Sequence, residues 1–345
     1  MPIISADALR DFAAGLLAAG GFARDDAAAM ADLLVWANLR GVDSHGLLRI
    51  PRYIEMLAQG LVRADHAMTI AQGFGAIRVL DAGKAPGAAA MNRAVAEAGG
   101  MAAQFGLGWC GVRRTSHAGA VGYFVEKLAL QGMVGIAMTA SKPLMSYYGA
   151  KGEALSTNPL AIGVPLPAGH DPLILDMSTA AVALGKVMAA KDAGRPIPLG
   201  WAIDADGAQT TDPHNVAALL PMAGAKGSGL SLMIEILTSI LSGDPTIAPA
   251  LTGQKGGGFN GMVLAIDPRA FGEPDQFLAN VASLRDAIAA LEPASGFDRV
   301  RLPGERGYET ARSRNHDGID LAAGTQKRLA ACAQELGVAL PDNWA

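Results

Sequence analysis

Along residues 24–39 the positions Ala28, Ala31, Leu34, Val35 and Asn38 recur at helical spacing, behind Asp25 and Asp26 in a first turn where the helix dipole favours acids. An earlier helix is expected over 6–18, with Ser5 as its N-cap and Gly20-Gly21 closing it. A third spans 51–58 and opens at Pro51, because proline inside a helix breaks the hydrogen-bond ladder. From residue 76 the rhythm changes. Short apolar runs bounded by Gly, Pro or polar residues at 77–80, 107–113, 134–139, 173–177 and 262–266 predict buried strands. Helices are expected between them over 87–104, 121–130, 180–190 and 226–241, and two more over 275–291 and 321–336. The Pro- and Gly-rich segment 244–258 reads as a loop or a lid. Strands interleaved with helices give an α/β or α+β core.

Composition narrows this picture. Half of the 345 residues are hydrophobic and 17% are charged, enough apolar material for a large core and about two domains. A net charge of −4 without a basic run argues against nucleic acid. The chain opens without a basic, apolar leader, and its most apolar stretch, near 133–140, is far short of the ~20 residues a bilayer needs. A soluble, cytoplasmic protein is expected. Cys110 and Cys332 lie far apart, and no HExxH, HxxxH or CxxC spacing occurs, so neither a disulfide framework nor a metal is expected.

Gly106-Leu107-Gly108-Trp109-Cys110-Gly111 matches the dinucleotide-binding GxGxxG letter for letter. That motif works where a strand precedes it and a helix N-terminus follows, meeting the pyrophosphate. Here a helix precedes it and a strand overlaps it, so a Rossmann domain is not supported.

Three other runs carry candidate chemistry. In Asp43-Ser44-His45-Gly46-Leu47-Leu48-Arg49, continuing to Tyr53, His45 suits acid/base work near neutral pH. Arg49, four residues on, can grip a carboxylate with two parallel hydrogen bonds; Ser44 can orient the imidazole and Tyr53 can close the site. The same run also reads as a capped helix start with a solvated arginine. In Ser116-His117-Ala118-Gly119, a strand hands over to a helix through small residues and offers a second imidazole, His117, which by itself also reads as a satisfied histidine capping a strand end. Gly224-Ala225-Lys226-Gly227-Ser228-Gly229 offers free amides at a helix start, an anion cradle suited to pyrophosphate, although a glycine-rich turn with a surface lysine has the same letters. Ser156-Thr157-Asn158-Pro159 is a polar turn before an apolar strand. In Leu175-Asp176-Met177-Ser178-Thr179, Asp176 can accept from ribose hydroxyls or cap the following helix.

Together these runs, with Arg40-Gly41-Val42 before Asp43 and Gly185-Lys186-Val187, resemble the type-2 malate/L-lactate dehydrogenase family, which includes ureidoglycolate, sulfolactate and cyclic-imine (piperideine/pyrroline-2-carboxylate) members. The resemblance implies a non-Rossmann α/β fold with a central, mostly antiparallel mixed sheet flanked by helices, and a helical domain from both chain ends. The expected division is 1–72 plus about 300–345 against a cofactor-binding 73–299. A homodimer using NAD or NADP on a small carboxylate substrate is implied. His45 and His117, with Ser44, would form the catalytic group, and members differ over which imidazole is called the acid/base. Arg49, Tyr53 and Asn158 would face substrate; Ser141, Asp176, Met177, Ser178, Lys226, Gly227 and Arg312 would face cofactor. Lys142 stands where the ureidoglycolate branch has an acid: at the pocket it would favour a substrate with a second anionic group, and otherwise it is a solvated loop lysine before Pro143. Lys186 stands where the cyclic-imine branch has an aspartate, which lowers the imine-reductase alternative. A non-catalytic small-molecule-binding protein is the remaining alternative.

Overall fold

Burial in alternate strand positions, with helices laid across both faces, organises the chain into one large mixed sheet and a helical layer. The computed structural model describes residues 3–254, 257–342 and 344. The strands are β1 (Ile3–Ile4), β2 (Thr69–Phe74), β3 (Ile77–Asp81), β4 (Leu107–Thr115), β5 (Val134–Ala140), β6 (Leu160–Val164), β7 (Leu173–Met177), β8 (Ala202–Ile203), β9 (Ala218–Leu219), β10 (Phe259–Ile266) and β11 (Ile319–Asp320). Helices are α1 (Ala6–Ala19), α2 (Arg24–Leu39), α3 (Ile50–Ala58), α4 (Gly87–Phe105), α5 (Gly122–Leu130), α6 (Leu184–Asp192), α7 (Ala225–Glu235), α8 (Ile247–Leu251), α9 (Pro274–Ala289), α10 (Glu305–Asp317) and α11 (Ala323–Leu336). The main sheet runs β2-β3-β4-β10-β5-β6-β7. Only β3 and β4 pair in parallel within it; the other pairings are antiparallel.

Strand β4 shows why the glycine motif is not a phosphate loop. Gly106, with φ of 84°, is the left-handed C-cap of α4. A Cβ on Gly108 would lie 2.0 Å from the Ala98 carbonyl oxygen, so this glycine lets α4 press onto the sheet. Gly108, Cys110 and Val112 are buried together with the α4 residues Ala94, Ala98 and Ala102. Gly111 lies instead beside Ser242.

Helices expected at 6–18, 24–39, 51–58 and 87–104 stand within a residue of those limits, and the Ser5 hydroxyl accepts the Ala8 amide as anticipated. Three expectations change. The helix expected from 180 starts at Leu184, because Ser178 first caps the Ala180 amide and Ala180 bridges Pro221. The helix expected over 226–241 ends at Glu235 and passes into a π-helical turn, Ile236–Ile240. Segment 244–258 contains α8, whose first amides, Thr246 and Ile247, are capped by the buried Glu235 carboxylate; Lys255 and Gly256 lie outside the described residues.

The two chain ends meet: β1 pairs with β11, and α11 packs on α1 and α3. Arg40 joins α10 to this layer, sandwiched between Trp36 and Tyr308 (4.8 and 3.7 Å) while its guanidinium pairs with Glu126 at 3.1 Å. No helix among the described residues is long and apolar enough to cross a membrane.

Candidate active site

After α2 the chain must turn sharply to deliver residues 43–49, and Asn38 is the latch. Its Oδ1 accepts the Leu47 amide at 2.8 Å and its Nδ2 donates to Asp43 at 2.6 Å. Gly46 fits only because it has no side chain: a Cβ there would lie 2.2 Å from Asn38 Oδ1. Gly46→Ala is therefore expected to unlatch the turn and lower kcat/KM by roughly 100-fold, the cost of misplacing reacting groups by about 1 Å. Steady-state kinetics beside a thermal melt check this, with the activity loss expected to exceed what the drop in folded fraction explains.

The latched turn presents Ser44, His45 and Arg49. From the other side, β4 ends at Thr115 and delivers His117. Its carbonyl is backed so closely by Gly87 that a Cβ there would stand 2.3 Å from the oxygen, and the Ser116 hydroxyl accepts the Gly87 amide at 2.8 Å. The residue before Thr115, Arg114, is held at φ of 55°, a strained left-handed value. Its amide donates to Asn260 Oδ1 at 3.0 Å, and Asn260 Nδ2 in turn donates to the Asp244 carbonyl at 2.8 Å.

The two imidazoles stack with centroids 5.5 Å apart and planes at 16°. Ser44 Oγ lies 3.0 Å from His45 Nδ1, and the Tyr53 hydroxyl lies 2.8 Å from His117 Nδ1. Phe259 meets His117 edge-on at 6.0 Å. Both rings border a cleft of about 70 Å³, with Gly119, Ser141, Thr157 and Asn260 among its walls. Arg49 spends its Nε on the Ser44 carbonyl at 2.8 Å, and among the described residues its terminal nitrogens have no hydrogen-bond partner and can take a ligand.

Burial, reinforced by the Arg49 cation, pulls His45 down to about 4. Burial, Arg49 and His45 hold His117 well below its ordinary value. Both rings are thus neutral near pH 7, able to accept a proton at one nitrogen and to donate a hydrogen bond from the other. Burial pushes the Tyr53 phenol up to about 12, so it keeps its proton.

The other sequence candidates divide. Ser141 reaches the cleft and shares a 2.6 Å contact with Ser156 Oγ. Lys142 follows it, exposed. Tyr53 stands behind His117 in the core, its hydroxyl engaged by the imidazole. Asn158 is fully buried and donates to the Ser231 carbonyl at 2.9 Å, while Ser231 Oγ donates to the Ser156 carbonyl at 2.9 Å; these bonds bolt α7 to the cleft wall. Asp176 Oδ2 accepts the Gly122 amide at 2.8 Å, Met177 ends β7, and Ser178 Oγ donates to the Thr157 carbonyl. Lys226 sits exposed in the first turn of α7. Gly227 is required by packing, since a Cβ would lie 2.3 Å from the Met222 carbonyl oxygen. Arg312 is away from this group, paired with Asp171 at 2.6 Å. Residue reading missed Phe259 and Asn260. Their one local signal is the glycine-rich run before a strand, which sequence alone treats as a loop.

Paired neutral imidazoles beside a guanidinium suit proton transfer next to a bound anion, and the similarities that follow make the chain an NAD(P)-dependent dehydrogenase acting on the CH–OH group of small hydroxy acids. The chain belongs to the malate/L-lactate dehydrogenase family, whose pattern it matches over residues 4–330. It is 33% identical over 322 residues to ureidoglycolate dehydrogenase (NAD(+)) of Escherichia coli O157:H7, covering 92% of each chain. It is 35% identical over 337 residues to (2R)-3-sulfolactate dehydrogenase (NADP(+)) of Chromohalobacter salexigens, covering 96% of this chain and 98% of that one. The solved sulfolactate dehydrogenase of Methanocaldococcus jannaschii superposes with a TM-score of 0.88 at 32% identity over 98% of each chain.

Proposed function

We propose that the protein oxidises a small 2-hydroxy acid to the 2-oxo acid, with Arg49 holding the carboxylate and the His45–His117 pair handling the hydroxyl proton. The observation that carries this reading is the pair itself: two stacked imidazoles whose Nδ1 atoms are occupied, each with Nε2 left over, beside Arg49. A nicotinamide dinucleotide, when bound, supplies the hydride acceptor. The α7 start fits its pyrophosphate, because the Ala225 and Lys226 amides precede any intrahelical partner and the Lys226 ammonium stands beside them. Ser141, Asp176, Met177 and Ser178 are the further residues read as holding the cofactor. Binding of NADH and NADPH followed by fluorescence, then turnover on a panel of hydroxy acids and cyclic imines, tests the function. Turnover of hydroxy acids supports the reading; turnover of imines alone, or binding without turnover, contradicts it.

Lys142 deepens the substrate assignment. Exposed and adjacent to Ser141 at the cleft, it favours an acid with a second anionic group, as in malate or a sulfonate. Lys142→Ala is expected to lower the preference for malate over lactate by roughly 10-fold, the worth of one hydrogen bond to a charged group. An unchanged ratio of kcat/KM values removes the assignment.

A homodimer accounts for α9, none of whose residues is buried. Phe277, Val281, Leu284 and Ile288 recur at spacings of four, three and four, an apolar seam along the helix, with Leu284 61% exposed; Leu291, just past the helix end, is 59% exposed. Leu284→Glu is expected to convert a dimer to a monomer in sedimentation equilibrium. We read the helical layer as 1–72 plus about 300–345, the cofactor unit as 73–299, and the cytoplasm as the compartment. Two free cysteines suit its reducing conditions.

A further inference from the structure

The two imidazoles look alike in the cleft but differ behind it. Ser44, beside His45, is partly exposed, so its hydroxyl can accept a ring proton and still donate to solvent. Tyr53, beside His117, has no such outlet. Its ring is buried, and among the described residues its hydroxyl has one hydrogen-bond partner, His117 Nδ1 at 2.8 Å. The space behind the phenol and the His117 ring is a cavity of about 10 Å³, at the lower limit for a single water; Phe22, Met30, Leu33 and Val62 line it, and its Ser116 hydroxyl already accepts the Gly87 amide. A buried hydroxyl proton without an acceptor is costly, so the phenol donates and Nδ1 accepts.

We propose that Tyr53 is the positioning residue that divides the labour of the pair: by donating to His117 Nδ1 it keeps the His117 ring proton on Nε2, so that His117 donates a hydrogen bond to the substrate oxygen and His45 takes the hydroxyl proton. The catalytic half of this assignment rests on the hydroxy-acid reading. In oxidation the substrate O–H bond breaks and its proton passes to His45 Nε2. A bound oxidised nicotinamide would accept the C2–H pair as hydride, so that the C2–O bond becomes a carbonyl. His117 keeps its proton and polarises that oxygen throughout. The His45 imidazolium that results donates from Nδ1 to Ser44 Oγ; in reduction the same proton returns to the alkoxide. The groups facing His117 agree with its staying neutral, since His45, Arg49 and the phenol offer it no anion.

Nitrogen-15 NMR of histidine-labelled protein at pH 7 tests the first half without any substrate. The expected spectrum has His117 protonated at Nε2 and bare at Nδ1, with His45 in the opposite tautomer. Tyr53→Phe is expected to mix the His117 tautomers and to lower kcat by roughly 10- to 100-fold, with KM changed less than about threefold and an unchanged acid limb in kcat/KM. Thermal melting of the variant separates unfolding from tautomer loss, because a folded protein with a mixed His117 tautomer supports the role. A proton on His117 Nδ1 in the wild type, or a Tyr53→Phe variant with an unaltered tautomer, overturns it. Wild-type protein that turns over no hydroxy acid would sink the dehydrogenase reading instead, while the tautomer spectrum still decides what Tyr53 does to His117.

Discussion

His45→Ala is expected to lower kcat for hydroxy-acid oxidation by roughly 10²–10⁴, the usual worth of a positioned general base. The loss should be chemical, since His45 is only partly buried on a turn latched independently by Asn38, so the melt should move little. Its pH signature is specific. Oxidation needs the neutral ring, and in the free enzyme His45 is neutral above about 4. Hence kcat/KM should be flat from pH 8 to 5 and fall as pH drops through about 4, losing tenfold per unit below it. In the reduction direction the protonated ring is the reactant, so the rate falls instead as pH rises above that value. The alanine variant should lose both limbs. A wild-type acid limb near 6.5, the ordinary imidazole value, would show that burial and Arg49 do not act on the base as described.

Arg49 carries the second large effect, and two substitutions separate its two roles. Its Nε braces the Ser44 carbonyl while the rest of the fork is free for a carboxylate. Lysine retains the charge but neither the brace nor the paired geometry, so Arg49→Lys should raise KM roughly 10- to 100-fold. Arg49→Gln should raise it at least as much and remove the cation that depresses both imidazoles, moving the acid limb upward. Kinetics at several pH values distinguish them: a limb that moves equally in both variants would mean the charge is not the cause.

Much of the frame is legible in the sequence, because it depends on near neighbours in the chain. The Ser5 cap, the Pro51 helix start and the dismissal of the glycine motif follow from short-range rules, and β4 stands where that motif would have needed a loop. What escaped had no local signature. Strand β2 is exposed at five of six positions, so its sequence lacks the alternation a strand usually shows. Helix α10 is strongly polar and is held by the Arg40–Tyr308 stacking, a contact over more than 260 residues. Within the site, the residues with obvious chemistry declared themselves. The Tyr53–His117 bond spans 64 positions and joins α3 to the segment that follows β4, which no spacing rule foretells. Asn260 is visible only once the strained Arg114 is seen leaning on it.

The most direct test of the account follows a label. Candidate acids deuterated at C2, among them malate, lactate, sulfolactate and ureidoglycolate, would be incubated with the purified protein and NAD or NADP. The account predicts deuterium on the nicotinamide of the reduced cofactor for at least one acid, and none with His45→Ala over the same interval. Reduced cofactor without deuterium, or no reduction while the dinucleotide binds, would contradict it.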